Sequence, residues 1–140
     1  MEPKTRLDRL VQVRERGEDA ALRSLAVAQS ALGRASERLA ASQAQSRSDA
    51  RARSGAADWM VEEAAHLRAL QDVRNAERAV AQAIGEERQA RAGYIDAHQR
   101  AEAVRRAQEK KRTEIKTDRE TRETRALDEL ATLRFNARTH

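Results

Sequence analysis

Apolar residues recur alternately three and four positions apart through the first part of the chain. The positions on this repeat are Leu7, Val11, Arg14, Glu18, Ala21, Leu25, Ala28, Leu32, Ala35 and Leu39. This spacing places the side chains on one stripe of an α-helix, and alternating Leu with Ala lets two helices approach closely. The stripe, here called the seam, is polar at Arg14 and Glu18. It predicts a helix from about residue 4 to residue 50, beginning after Pro3.

The repeat fades after Leu39. The segment ASQAQSRSDARARSGAAD (residues 41–58) has no large apolar residue and contains Gly55, the strongest helix breaker in this half of the chain. We therefore expect a turn at about residues 51–57. Asp58 is suited to cap the helix that follows.

Apolar residues resume at Trp59 and continue to the end of the chain without a proline. This predicts one second helix from about residue 58 to residue 136. The expected fold class is all-α: residues 1–140 form a single long antiparallel two-helix coiled-coil hairpin in which the second helix is longer.

One register of the hairpin follows from centring the turn on Gly55. Facing residues then have numbers that sum to roughly 110, so the expected pairs are Leu39 with Leu70, Leu32 with Val80, Leu25 with Ile84, and Leu7 with Val104. In this register the second helix overhangs the first beyond about residue 108.

A second register places the turn near residue 70. Leu7 then meets Leu133, and Leu10 meets Leu130. This arrangement needs a helix break inside AAHLRALQDVRNA (residues 64–76), which has neither Gly nor Pro. The first register is therefore preferred, and the second remains an alternative.

The end of the chain carries an isolated apolar cluster. From His98 to Arg125 the only large apolar side chains are Val104 and Ile115. Four then arrive together, beside Arg134 and Arg138: Leu127, Leu130, Leu133 and Phe135. In the first register this cluster is an exposed stripe that needs a partner, whereas in the second it closes the hairpin.

Composition narrows the class of protein. The 140 residues include 36% charged and 2% aromatic residues, with a net charge of +5 and a mean hydropathy of −0.89. Ala, Arg, Glu and Gln are strong helix formers, which suits long helices better than a conventional globular core. No signal peptide or transmembrane run is present, so the expected location is the cytoplasm.

The residues that carry chemistry are sparse. There is no cysteine, and His66, His98 and His140 lie far apart in sequence, so no metal site is expected. No Gly-rich loop is present to hold phosphate, and a two-helix protein offers no pocket to desolvate its carboxylates. We expect no enzyme activity and no cofactor. Nucleic acid is not an expected partner, because acids interleave the bases and no aromatic platform exists.

With its elements placed, the chain resembles the FliJ family of flagellar export and the related YscO-type proteins of type III secretion. RLDRLVQVRERGEDAALRSLAVAQSAL resembles the family's opening, and ALDELATLRF resembles its close. SGAADWMVEEAAHLRALQ stands where the family has its turn and the start of its second helix. Flagellar and injectisome membership both stay open.

This resemblance implies a central stalk that docks its paired termini in a hexameric export ATPase and links that ring to a membrane protein, the export gate. Contacts with export chaperones and attachment to the membrane only through partners are also implied. The residues implied in ring docking are Arg6, Arg9, Arg14, Arg16, Leu130, Arg134, Phe135 and Arg138. The gate or chaperone face implied is Leu67, Leu70 and Glu77.

Two other functions are compatible with the same residues. The first alternative is a generic coiled-coil adaptor or chaperone. Its free overhanging helix could also form a dimer with a second copy. The second is a basic coiled coil that binds nucleic acid through Lys and Arg.

Overall fold

A computed structural model describes residues 1–49 and 59–139. Two α-helices account for most of these residues: α1 (Asp8–Asp49) and the longer α2 (Trp59–Thr139), packed against each other. No strand occurs among the described residues. The predicted all-α two-helix hairpin with a longer second helix is therefore confirmed. The predicted turn at 51–57 and the cap at Asp58 lie outside the described residues.

The start of α1 is fixed by a capping contact. The Thr5 hydroxyl donates to Asp8 Oδ1 at 2.7 Å, and the Thr5 backbone N–H donates to Asp8 Oδ2 at 3.1 Å. The carboxylate of Asp8, the first residue of α1, thus binds back to the backbone of Thr5 three residues earlier, which is the carboxylate half of a capping box. The first helical turn follows directly, where Val11 N–H donates to Leu7 O at 2.8 Å.

The seam of α1 is the one that the sequence predicts. Each of the ten positions from Leu7 to Leu39 is buried or half-buried, and Val11, Leu25 and Ala35 are the most buried. The same 3-4 spacing continues to Ser42 and Ser46, which are half-buried. The stripe therefore extends beyond the last leucine that revealed it.

The seam of α2 corrects one prediction. Its buried and half-buried positions follow an unbroken 3-4 repeat that includes Ala69, Val73, Ala76, Val80, Ala83, Glu87, Ala90, Tyr94, Ala97, Ala101, Val104 and Gln108. Leu70 and Ile84, which were expected to face α1, are 37% exposed and lie one residue beyond the buried Ala69 and Ala83. The expected pairs of Leu39 with Leu70 and of Leu25 with Ile84 were wrong, whereas Val80 and Val104, which were also expected to face α1, do lie on the seam. Alanine occupies the seam because it permits closer helix approach than a large side chain.

The chain divides into two compact units. The terminal unit comprises Met1–Glu18 and Ala97–His140, and the middle unit comprises Asp19–Asp96. Each unit contains a segment of both helices.

Within the terminal unit, contacts between the helices show an antiparallel arrangement. Glu2 bonds to Arg112, Asp8 bonds to Gln108 and Arg112, and Glu18 bonds to Arg105. The residue numbers of these pairs sum to 114–123, which is 4–13 above the predicted 110, so the residues that face α1 lie between one and nearly four helical turns further along α2 than expected.

The second register was wrong. It required a break near residue 70, but α2 runs through that region as one helix. It also required Leu130 and Leu133 to be covered by the first helix. Both are exposed, and the beginning of α1 lies beside Gln108 and Arg112 instead.

Candidate interaction surfaces

The C-terminal part of α2 is a long exposed helix. Every residue from 116 to 139 is exposed, and the last contact described between this helix and the N-terminal segment is at Arg112. We call residues 116–139 the C-terminal arm. Its large apolar side chains are 56–68% exposed, and they are Leu127, Leu130, Leu133 and Phe135. So many apolar side chains on one short stretch of solvated helix mark an interaction surface.

The charge of the arm changes near its end. Residues 116–129 mix both signs, whereas residues 130–139 contain Arg134 and Arg138 and no acidic residue. Positive charge in the last turns of a helix is favourable because the helix dipole is negative there. The last ten residues of the arm therefore combine apolar side chains with two positive charges.

The N-terminal arginines lie elsewhere in the terminal unit. Arg6, Arg9 and Arg16 are exposed, whereas Arg14 is half-buried in the seam. The Nε atom of Arg14 is buried and has no hydrogen-bond partner in the described part of the chain. Arg14 thus differs from the other three in being part of the helix contact.

The two groups of predicted docking residues do not form one cluster. Glu2 lies beside Arg112, which fixes the level of the N-terminus along α2. Leu130 is 18 residues further along that helix, which corresponds to about 27 Å. A partner that contacts both groups must therefore span this length or bind them with separate surfaces.

A polar network joins the helices in the terminal unit. Glu18 accepts a hydrogen bond from Arg105 Nη2 at 2.9 Å, and its other oxygen lies 2.8 Å from His98 Nδ1. Arg105 Nε also donates to Glu15 at 3.2 Å. These contacts lower the pKa of Glu18, chiefly through the hydrogen bond with His98 and then through Arg105. The pKa of Arg105 is raised, chiefly by its hydrogen bond to Glu15.

A second polar contact holds the N-terminal end of α1 against α2. Gln108 Nε2 donates to Asp8 Oδ1 at 2.7 Å, and Arg112 donates to Glu2 at 2.6 Å and to Asp8 at 3.5 Å. The pKa of Asp8 is lowered from 3.8 to about 2, first by the Thr5 hydroxyl and then by Gln108, with a smaller contribution from the charge of Arg112.

Sequence reasoning missed both networks. The available signal was the polar interruption of the seam at Glu18, because a partly buried carboxylate needs hydrogen-bond partners.

The predicted gate or chaperone residues share one face of α2 in the middle unit. Leu67, Leu70 and Glu77 are all exposed. Each follows a buried or half-buried seam residue by one position, so the three lie on a row beside the seam. Their spacing of three and seven residues is that of a surface which a helix can contact along its length.

Groups of His, Asp and Glu side chains arranged to hold a metal ion do not occur in residues 1–49 or 59–139. Within the same two ranges, no helix has a stretch that is both long and apolar enough to cross a membrane.

These features define a helical coiled-coil protein whose apolar surfaces lie along exposed helix faces. Among known families, the family model described as "Flagellar FliJ protein" matches residues 3–140, so the chain belongs to the FliJ family. The predicted resemblance is confirmed, and the family identifies the chain as a structural component of the flagellar export apparatus. Comparisons with curated proteins and with solved structures found no match.

Proposed function

We propose that this protein is the central stalk of the flagellar export apparatus, that it docks in the ring of the export ATPase, and that it couples this ring to the export gate. The observation that supports the proposal best is the C-terminal arm, because its apolar side chains have no cover within the described chain. Leu130 and Phe135 are the anchors in this proposal, and Arg134 and Arg138 form charge contacts around them. The protein is cytoplasmic, catalyses no reaction itself and reaches the membrane only through its partners.

The N-terminal arginines contribute separately to ring binding. Arg6, Arg9 and Arg16 are exposed and can meet acidic groups of a ring at levels about 27–38 Å from Leu130 along α2, because Glu2 lies beside Arg112 and Glu18 lies beside Arg105. Arg14 acts through the seam, because its guanidinium is partly covered by the helix contact. A pore lining deep enough to reach both levels would engage the two groups together.

The test compares folding with binding for the same substitutions. Truncating an anchor in a desolvated site removes about 2 kcal/mol or more of binding free energy, about a thirtyfold loss of affinity. We expect Phe135→Ala and Leu130→Ala to weaken binding to the purified export ATPase by this factor and to reduce any stimulation of ATP hydrolysis. Because both side chains are exposed, the melting temperature of the isolated protein should not change.

The matched control is Val27→Ala, since Val27 is 66% exposed but lies on α1 in the middle unit. It should leave ring binding unchanged. Arg138→Ala should weaken binding mainly at low salt, because peripheral charges act through screened attraction. Affinity that stays within twofold for both Phe135→Ala and Leu130→Ala would exclude the arm as the docking element.

The gate or chaperone contact is assigned to Leu67, Leu70 and Glu77. Its support is that these three exposed residues share one row of α2. We expect the double substitution Leu67→Ala and Leu70→Ala to weaken binding to the cytoplasmic part of the export gate, or to an export chaperone, while ATPase binding persists. Equal loss of all these interactions would instead indicate damage to the fold.

A further inference from the structure

The row that contains Leu67 and Leu70 continues much further along α2. Four large apolar side chains in the middle unit are 37–58% exposed, although each directly follows a buried or half-buried seam residue. The four are Leu67, Leu70, Ile84 and Ile95, which follow His66, Ala69, Ala83 and Tyr94. One residue advances about 100° around a helix, so the four lie together beside the seam. We call the exposed positions on this row, from Leu67 to Ile95, the lateral row.

The lateral row also carries an excess of positive charge. Its remaining positions, each one residue beyond the seam, are Arg74, Glu77, Ala81, Arg88 and Arg91, and all are exposed. Three are arginines and one is a glutamate. Arg91 bonds to Glu87 of the same helix at 2.6 Å, which leaves the guanidinium 57% exposed. The row is thus apolar at both ends and at its centre, with arginines between.

We propose that the lateral row binds one amphipathic α-helix of a partner protein, with apolar residues at 3-4 spacing and acidic residues facing the arginines. Ile95 lies 28 residues after Leu67, which corresponds to about 42 Å or nearly eight helical turns. Its 3-4 spacing is that of a coiled-coil contact, and opposite charge between the apolar positions fixes the register of such a pair. This inference rests on the proposed gate or chaperone contact. It specifies the chemistry of the partner and adds Ile84 and Ile95 to the contact surface.

A second copy of this chain fits the lateral row less well. A second copy could offer its own lateral row, which also carries three arginines and one glutamate, or its C-terminal arm, which ends with Arg134 and Arg138 and has no acid after residue 129. Placing these arginines beside Arg88 and Arg91 would bring like charges together. An acidic helix instead offers complementary charge.

The experiment uses the full chain and two synthetic helices as probes. Both probes are about 28 residues long and carry Leu at the two apolar positions of each heptad; one has Glu at the flanking positions and the other has Lys. We expect the acidic probe to bind at least about tenfold more tightly than the basic probe. Ile84→Asp and Ile95→Asp should each weaken binding of the acidic probe by about tenfold. Val27→Asp, an equally drastic change at an exposed position off the row, should have no effect.

The variants also separate folding from recognition. Circular dichroism should show melting within a few degrees of wild type for Ile84→Asp and Ile95→Asp, because both sites are exposed. If either unfolds the chain, Arg88→Glu replaces it, and this variant should lose the preference for the acidic probe. Equal binding of both probes, or equal weakening by Val27→Asp, overturns the proposal. A dimer in sedimentation that Ile84→Asp converts to monomer also overturns it, because the occupant is then a second copy.

The proposed function can fail independently of this inference. Ring binding is read from Phe135→Ala and gate binding from the Leu67 and Leu70 substitutions. Those substitutions could leave ring and gate binding unchanged while Ile84→Asp and Ile95→Asp still weaken binding of the acidic probe. The lateral row would then be a helix-binding surface without an assigned export partner.

Discussion

The terminal and middle units join the same two helices by different means. In the terminal unit, charged and polar side chains cross between the helices at several levels, and Glu18, Arg105, Asp8 and Arg112 make most of these contacts. The buried apolar side chains there are Val11 and Ala101, at 7% and 1% exposure. In the middle unit, the buried seam is built from the apolar Leu25, Ala35, Ala69 and Ala83, and its one buried charged residue in the described chain, Glu87, bonds to Arg91 of the same helix.

The difference concerns how each helix contact responds to solution conditions. Apolar burial contributes about 25 cal/mol per Å² and is insensitive to moderate salt, whereas partly exposed ion pairs are weakened by screening. Polar contacts specify which residues face each other, because a shift in the register of the two helices leaves charges without partners. The middle unit is thus suited to holding the helices together, and the terminal unit to fixing their register.

The largest expected effect is in the middle unit. Leu25→Ala should lower the free energy of unfolding by about 2–3 kcal/mol, because it leaves a cavity in an apolar seam. Leu22→Ala is the matched control, since Leu22 is 49% exposed on the same helix. Urea unfolding followed by circular dichroism measures both. Equal losses for the two leucines would contradict the assigned seam.

Acid should weaken the helix contact in the terminal unit more than the helix contact in the middle unit. A carboxyl whose pKa is lowered in the folded state stabilises that state above its unfolded pKa, and this contribution is lost as the pH falls through the folded value. For Asp8 the window runs from about pH 3.8 down to about pH 2, and Glu18 shifts in the same direction. The helix contact in the terminal unit should therefore loosen as the pH falls below 4.

Spin labels can measure this loosening directly. A label pair at positions 9 and 110 reports on the terminal unit, and a pair at 34 and 78 reports on the middle unit; all four side chains are exposed. The distance distribution of the first pair should broaden in acid more than that of the second. Asp8→Asn should broaden the first pair already at pH 7. Equal broadening of both pairs in acid would remove the distinction between the units.

The smallest expected effect is a gain in stability from replacing a glycine in the middle unit. A Cβ added at Gly85 would meet nothing within 4 Å, and this glycine lies inside α2. Gly85→Ala should therefore raise the free energy of unfolding by about 0.4–1 kcal/mol, because alanine loses less backbone entropy in a helix. A small rise in melting temperature checks this. A fall would show that the position is constrained by contacts that the seam does not include.

The fold class, the seam of α1 from Leu7 to Leu39 and the family could all be predicted from the sequence. Ten positions from Leu7 to Leu39 follow one 3-4 repeat, and all ten are buried or half-buried. It also indicated an apolar cluster at the end of the chain with no obvious cover. These features depend on local periodicity and composition, which a single helix already displays.

Only the tertiary structure decided which face of α2 meets α1. Leu70 and Ile84 were predicted to face α1 because they are large and apolar, but the adjacent Ala69 and Ala83 occupy the seam. Two neighbouring rows of α2 both follow a 3-4 repeat, so periodicity could not choose between them. The choice depends on how closely the helices approach and on which charges find partners, and both are properties of the helix pair. The contact of Glu18 with His98 and Arg105 is of this kind, since its members lie about 80 residues apart in sequence.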